Sequence, residues 1–280
     1  MSIPLLEIGG VGEELLFLHA NGYPPECYRP MLSRLANFYH VIAMVQRPLW
    51  PESKPEEIED WRPLSDDFLR FLDAHHSGPL ACVGHSMGGI ALLRAALREP
   101  ERFKAIVLLD PVLFPPYFIA FWNVLRKFEP GRRRHPLISG ARQRRREFDD
   151  LERLYNGYRR KSVFRYMQDD SLRAYVEGIA CQRDGGSYQL CYSAEWEIRI
   201  YLTGIWRDMD IWRGLPELEV PTLIVRGVET DTFWEQTGKL VQRKQPGVRV
   251  EALESCTHLL PLERPGEVAN LIQSFFEENT

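Results

Sequence analysis

The segment Gly84-His85-Ser86-Met87-Gly88-Gly89 carries a serine between glycines at G-x-S-x-G spacing. A serine on a sharp strand-to-helix turn presents its hydroxyl as a nucleophile, and the turn closes only if its neighbours are small. Gly84 and Gly88 supply that room. A serine hydroxyl needs a base, and the base needs an acid to orient it. Of seven histidines, His85 stands too near Ser86 in sequence to swing onto it. His258, on a loop near the C-terminus, is the expected base. The acid is expected between Ser86 and His258 in the chain. Asp231, just past an apolar run ending at Val225, is chosen. Glu229 is an alternative. Asp110 is a third, read first as a cap for the segment beginning at Pro111.

The hydroxyl attacks a carbonyl, so an oxyanion forms and needs N–H donors. The Met87 N–H, at the start of a helix, is one. The other is expected from the loop His19-Ala20-Asn21-Gly22-Tyr23-Pro24, at Ala20 or Asn21. His19 is expected to brace that loop.

These loops need rigid elements beneath them. Apolar runs at 15–18, 41–45, 80–83 and 105–109 read as strands, and so do 222–225 and 248–252. Helical patterns cover about 28–37, 64–75, 87–98, 233–243 and 267–277. Continuous apolar strands alternating with helices predict an α/β fold with a mostly parallel sheet covered on both faces. Residues 111–215 break this pattern. They hold 18 of the 32 aromatic residues, and 19 basic against 13 acidic side chains. The segment is expected to be a helical insertion dividing a core of 1–110 and 216–280.

Composition bounds the rest. The chain has 280 residues, 44% hydrophobic and 26% charged, with a net charge of −4. That excludes a collagen-like chain, a disulfide scaffold and a wholly disordered chain. A slightly acidic total gives no reason to expect nucleic acid as a partner. No apolar run is long enough to span a bilayer, and the N-terminus lacks a secretory pattern. Cys27, Cys82, Cys181, Cys191 and Cys256 show no metal-ligand spacing and are expected to be free thiols. A cytoplasmic location is the resulting expectation.

With these motifs in place, the chain resembles the α/β-hydrolase fold superfamily over nearly its whole length. The resemblance rests on His19 to Gly22, Gly84 to Gly89, Gly227 to Asp231, and Thr257-His258 with Pro261-Leu262-Glu263-Arg264-Pro265. It implies a Ser86, Asp231 and His258 triad and makes 111–215 a helical cap. It implies an esterase-like serine hydrolase acting on a small-molecule ester or thioester, with no metal or organic cofactor. Relatives that open epoxides or haloalkanes use an aspartate where Ser86 stands. Some that cleave carbon–carbon bonds have Asn where His85 stands. Carbon–carbon hydrolysis, acyl transfer and a non-catalytic ligand-binding role stay open as alternatives. The arginine runs 132–134 and 144–146 are expected to form a solvated basic face, or to dock an anionic substrate.

Overall fold

The computed structural model describes residues 3–76, 78–125 and 136–279. The expected role of Arg132, Arg133 and Arg134 therefore lies outside the described residues. The apolar runs become strands whose alternate side chains feed two cores. Leu16 and Leu18 of β2 (Glu14–Leu18) enter one core, while Leu15 and Phe17 enter the other. On β3 (His40–Met44), Ile42 and Met44 join the first, and Val41 and Ala43 the second. Both faces of the sheet are covered, which is why these runs are continuously apolar rather than alternating.

The sheet has seven strands in the order β1-β3-β2-β4-β5-β9-β10. Here β4 is Leu80–His85, β5 is Phe103–Leu109, β9 is Thr222–Gly227 and β10 is Val248–Leu253. Neighbouring strands run parallel from β3 to β10. The exception is β1 (Leu5–Gly10), antiparallel to β3 at the edge. Periodicity does not reveal β1, because it is partly exposed, glycine-ended and kinked between Glu7 and Gly9.

After β2 the chain turns to one side for β3 and returns to the other for β4. The C-terminal edge between β2 and β4 is therefore a topological switch point, where open α/β sheets build their sites. Helix α1 (Arg29–Leu35) leads to β3, α2 (Arg62–His75) to β4, and α3 (Met87–Arg98) to β5.

Between β5 and β9 the chain makes α4 (Pro116–Leu125), α5 (Pro136–Gln143), α6 (Leu151–Arg159), α7 (Asp169–Ile179), α8 (Ala194–Thr203) and α9 (Met209–Gly214). It also makes a separate three-stranded antiparallel sheet from β6 (Glu147–Phe148), β8 (Tyr188–Leu190) and β7 (Ala180–Gln182). The expectation of free thiols fails here, because Cys181 and Cys191 form a disulfide. The β7–β8 hairpin brings their Cα atoms to 5.2 Å. Cysteine spacing alone does not show a hairpin. Cys27, Cys82 and Cys256 are free and buried.

After β9 come α10 (Glu235–Lys244), β10, the short α11 (Leu260–Glu263) and α12 (Pro265–Asn279). No helix among the described residues is long and apolar enough to cross a membrane.

Candidate active site

Ser86 follows β4 and opens α3 with φ 56° and ψ −115°, a conformation that serine rarely adopts. Two glycines make this turn possible. A Cβ on Gly84 would sit 2.6 Å from the Gly88 carbonyl oxygen, and one on Gly88 would sit 2.4 Å from that of Leu18. The second distance shows how closely the elbow presses on the end of β2. The Ser86 N–H donates to the Leu109 carbonyl at 3.0 Å, holding the turn against β5.

His258 lies on the loop between β10 and α11. Its Nε2 is 2.9 Å from the Ser86 Oγ, and its Nδ1 is 2.9 Å from Asp110 Oδ1. Asp110 can only accept when ionised, so Nδ1 carries the hydrogen and Nε2 accepts from the serine. Asp110 is fully buried, Ser86 is 5% exposed, and the His258 side chain is 24% exposed. The hydroxyl is thus sheltered, while the His258 imidazole keeps an open side.

The carboxylate beside His258 is therefore Asp110, not the expected Asp231. Asp110 follows β5 with φ 42°, and its N–H donates to the Val225 carbonyl at 2.8 Å. Its Oδ2 accepts from the Gly227 N–H at 3.0 Å, and its Oδ1 accepts from the Thr230 hydroxyl at 2.6 Å. Asp231 instead accepts from its neighbour Thr232 at the surface. Glu229 is exposed and bonds Arg165 and Tyr166, each at 2.6 Å. The β9 loop thus supports Asp110 rather than replacing it. The missed signal was Asp110 itself, an acid at the end of a buried strand beside the elbow strand.

The His258 loop is fixed from two sides. Glu263, nearly fully buried, accepts from the Thr257 N–H at 2.7 Å and the Thr257 hydroxyl at 2.8 Å. Gly227 lets the chains cross, because a Cβ there would lie 2.4 Å from the Thr257 carbonyl oxygen.

The loop after β2 settles which of its N–H groups is already engaged. Ala20 N–H donates to the Tyr28 hydroxyl at 3.2 Å. The expectation of Ala20 as an oxyanion donor is corrected accordingly, and Asn21 is the remaining candidate beside Met87. Met87 is the first residue of α3, where N–H groups have no intrahelical acceptor. His19 braces the loop: its Nδ1–H donates to the Ala20 carbonyl at 2.9 Å, and its Nε2 accepts from Gln46 N–H at 3.0 Å.

The Tyr28 hydroxyl extends this bracing. It donates to His85 Nδ1 at 2.7 Å, and His85 Nε2–H donates to the His258 carbonyl at 2.8 Å. A continuous chain of bonds therefore runs from Ala20 through Tyr28 and His85 to the backbone of His258. Burial, and then the neighbouring His258, holds the His85 pKa well below the usual histidine range. His85 is thereby held neutral beside His258.

The sequence matches the description "Alpha/beta hydrolase family" over residues 15–271. The chain belongs to that family. It is 29% identical over 270 residues to the 2-(acetamidomethylene)succinate hydrolase of Mesorhizobium japonicum, covering 96% of this chain and 89% of the relative. Among solved structures, it resembles an E-2-(acetamidomethylene)succinate hydrolase with TM-score 0.79 and 21% identity, over 98% of this chain and 94% of the other. It resembles an esterase of Mycobacterium tuberculosis with TM-score 0.76 and 20% identity, over 99% and 89%. Both structural likenesses concern the fold.

Proposed function

We propose that this alpha/beta hydrolase is a serine hydrolase that cleaves a carboxylic ester or thioester through an acyl-enzyme. The observation that carries this is the bonded series Ser86–His258–Asp110, with both links at 2.9 Å. Ser86 Oγ attacks the substrate carbonyl carbon as His258 Nε2 takes its proton. Asp110 holds the imidazole in the required tautomer and stabilises the imidazolium. The N–H groups of Met87 and Asn21 receive the oxyanion. His258 then protonates the leaving alcohol or thiol, and the C–O or C–S bond breaks. Water, deprotonated by His258, attacks the acyl-enzyme and releases the acid and free Ser86. Residues 111–215 act as the cap over this site.

The relative from Mesorhizobium japonicum is named as hydrolysing an acetamido-bearing succinate. That name favours an amide as a second reading, reached by the same steps with an amine as leaving group.

The test is hydrolysis of nitrophenyl esters from acetyl to long-chain acyl. Ser86→Ala is expected to abolish turnover. Asp110→Asn is expected to lower kcat by about ten-thousand-fold, as expected when the tautomer is wrong. Asp231→Asn is expected to stay within about twofold, because surface substitutions away from such features have small effects. Full activity in Ser86→Ala, or the reverse ranking of the two aspartates, overturns the assignment.

A further inference from the structure

Beside the Asn21 loop stands a charged group that the proposed chemistry does not use. Glu197, on α8, is 2% exposed. Its carboxyl carbon lies 3.8 Å from where a Cβ on Gly22 would sit, and its carbonyl accepts from Asn21 Nδ2 at 3.3 Å. Two guanidinium groups share this one carboxylate. Arg144 Nη2 is 3.1 Å from Glu197 Oε1, and Arg146 Nη2 is 3.7 Å from Oε2.

Arg146 Nη1 donates to the Tyr192 carbonyl at 2.6 Å. Its Nη2 is buried and has no hydrogen-bond partner among the described residues. A third cation, Lys161, lies over the Tyr158 ring at 4.3 Å, and the charge of Arg144 reaches it. The surroundings are otherwise aromatic: Tyr23, Tyr158, Tyr175 and Tyr201 lie within electrostatic reach of Arg144 or Glu197. Cations thus outnumber the single carboxylate in a partly buried cluster, next to the loop expected to hold the oxyanion. A guanidinium prefers a planar, two-oxygen partner, and it gains most where water is excluded. An Nη2 held by a 3.7 Å ion pair but by no hydrogen bond suits a second carboxylate.

We propose that the substrate carries a carboxylate on its acyl side, received by Arg146 and Arg144, with Glu197 holding the guanidinium groups in place while the site is empty. This rests on the serine hydrolase reading and names its substrate class. Glu197 is then a competitor as well as a support. Removing an arginine weakens carboxylate recognition, whereas neutralising Glu197 strengthens it. A purely structural ion cluster has no such opposite signs, because breaking it from either side is harmful.

The experiment compares kcat/KM for nitrophenyl hemiglutarate and its uncharged counterpart, nitrophenyl valerate. The wild-type protein is expected to favour the charged ester by about tenfold or more, a ratio typical of one desolvated charge pair. Arg146→Gln is expected to bring the ratio near one, and Glu197→Gln to raise it several-fold. A wild-type ratio at or below one overturns the proposal, and so does a fall of the ratio in both variants. Calorimetric titration of glutarate into Ser86→Ala separates this proposal from the hydrolase reading. Glutarate binding that Arg146→Gln weakens, with neither ester turned over by wild type, keeps the carboxylate site and rejects the hydrolase reading. Turnover of esters with no glutarate binding rejects the carboxylate site alone.

Discussion

Of the three hydrogen-bonded residues Ser86, His258 and Asp110, Ser86 and Asp110 are held with positive φ, at 56° and 42°. Each leaves the end of a central strand, and each has its N–H tied to the next strand along. Strain of this kind persists only where the surroundings over-determine it. The Tyr28 hydroxyl extends this determination to His258 and the Asn21 loop, since it bonds both Ala20 N–H and His85, which in turn bonds the His258 carbonyl. Tyr28→Phe keeps the ring but leaves two buried polar groups without a partner. The expected loss of stability is about 1–3 kcal/mol. The expected loss in kcat is about tenfold with little change in KM, because the substituted group positions others and touches no substrate. Urea unfolding, and kcat normalised to titrated active sites, check the two effects separately. A stability loss with kcat per site unchanged would make Tyr28 a packing residue only.

At the scale of elements, helix α3 also anchors the segment between β5 and β9. Arg94 on α3 is 5% exposed, and its Nη2 donates to Asp208 and Asp210, each at 2.9 Å. Asp208 precedes α9 and is 1% exposed. Arg94→Met leaves Asp208 buried and uncompensated, at an expected cost of about 3–5 kcal/mol. The double substitution Arg94→Met with Asp208→Leu removes both charges and is expected to recover most of that loss. Urea midpoints for the single and double variants test this. A double variant as unstable as Arg94→Met would mean that packing, not charge, is lost. Such long-range pairs are invisible in a one-dimensional pattern. The strands on either side were legible because their apolar runs are uninterrupted, as at Leu15–Leu18 and Ala105–Leu109. The short strands β6, β7 and β8 were not, having only two or three residues each.

Across the whole molecule, the sequence carried the order of the six parallel strands from β2 to β10 and two of the three residues joined by hydrogen bonds, Ser86 and His258. The third was misplaced for a physical reason: two strand ends, at Asp110 and at Gly227, lie side by side and both carry acids just beyond them. Only the sheet register shows that Asp110 points to His258 while the β9 loop supplies its donors. The same buried network sets a pH dependence of stability. Burial lowers the His19 pKa from 6.5 to about 4, and His85 is lowered in the same direction. Between those pH values the unfolded chain binds protons that the folded chain refuses, so stability falls as pH drops from 6.5 toward 4 and is complete above 6.5. For His19 the difference corresponds to about 3 kcal/mol. Glu263 and Asp208 have pKa values raised first by burial, so they act with the opposite sign in acid. Subtracting a His19→Gln profile isolates the histidine. Urea midpoints measured from pH 7.5 to 4.5 are expected to fall less steeply in the variant than in the wild type. Parallel profiles would show that His19 takes up its proton alike in the folded and unfolded chains, against the burial and the bond from Gln46 N–H to its Nε2 that favour its neutral form.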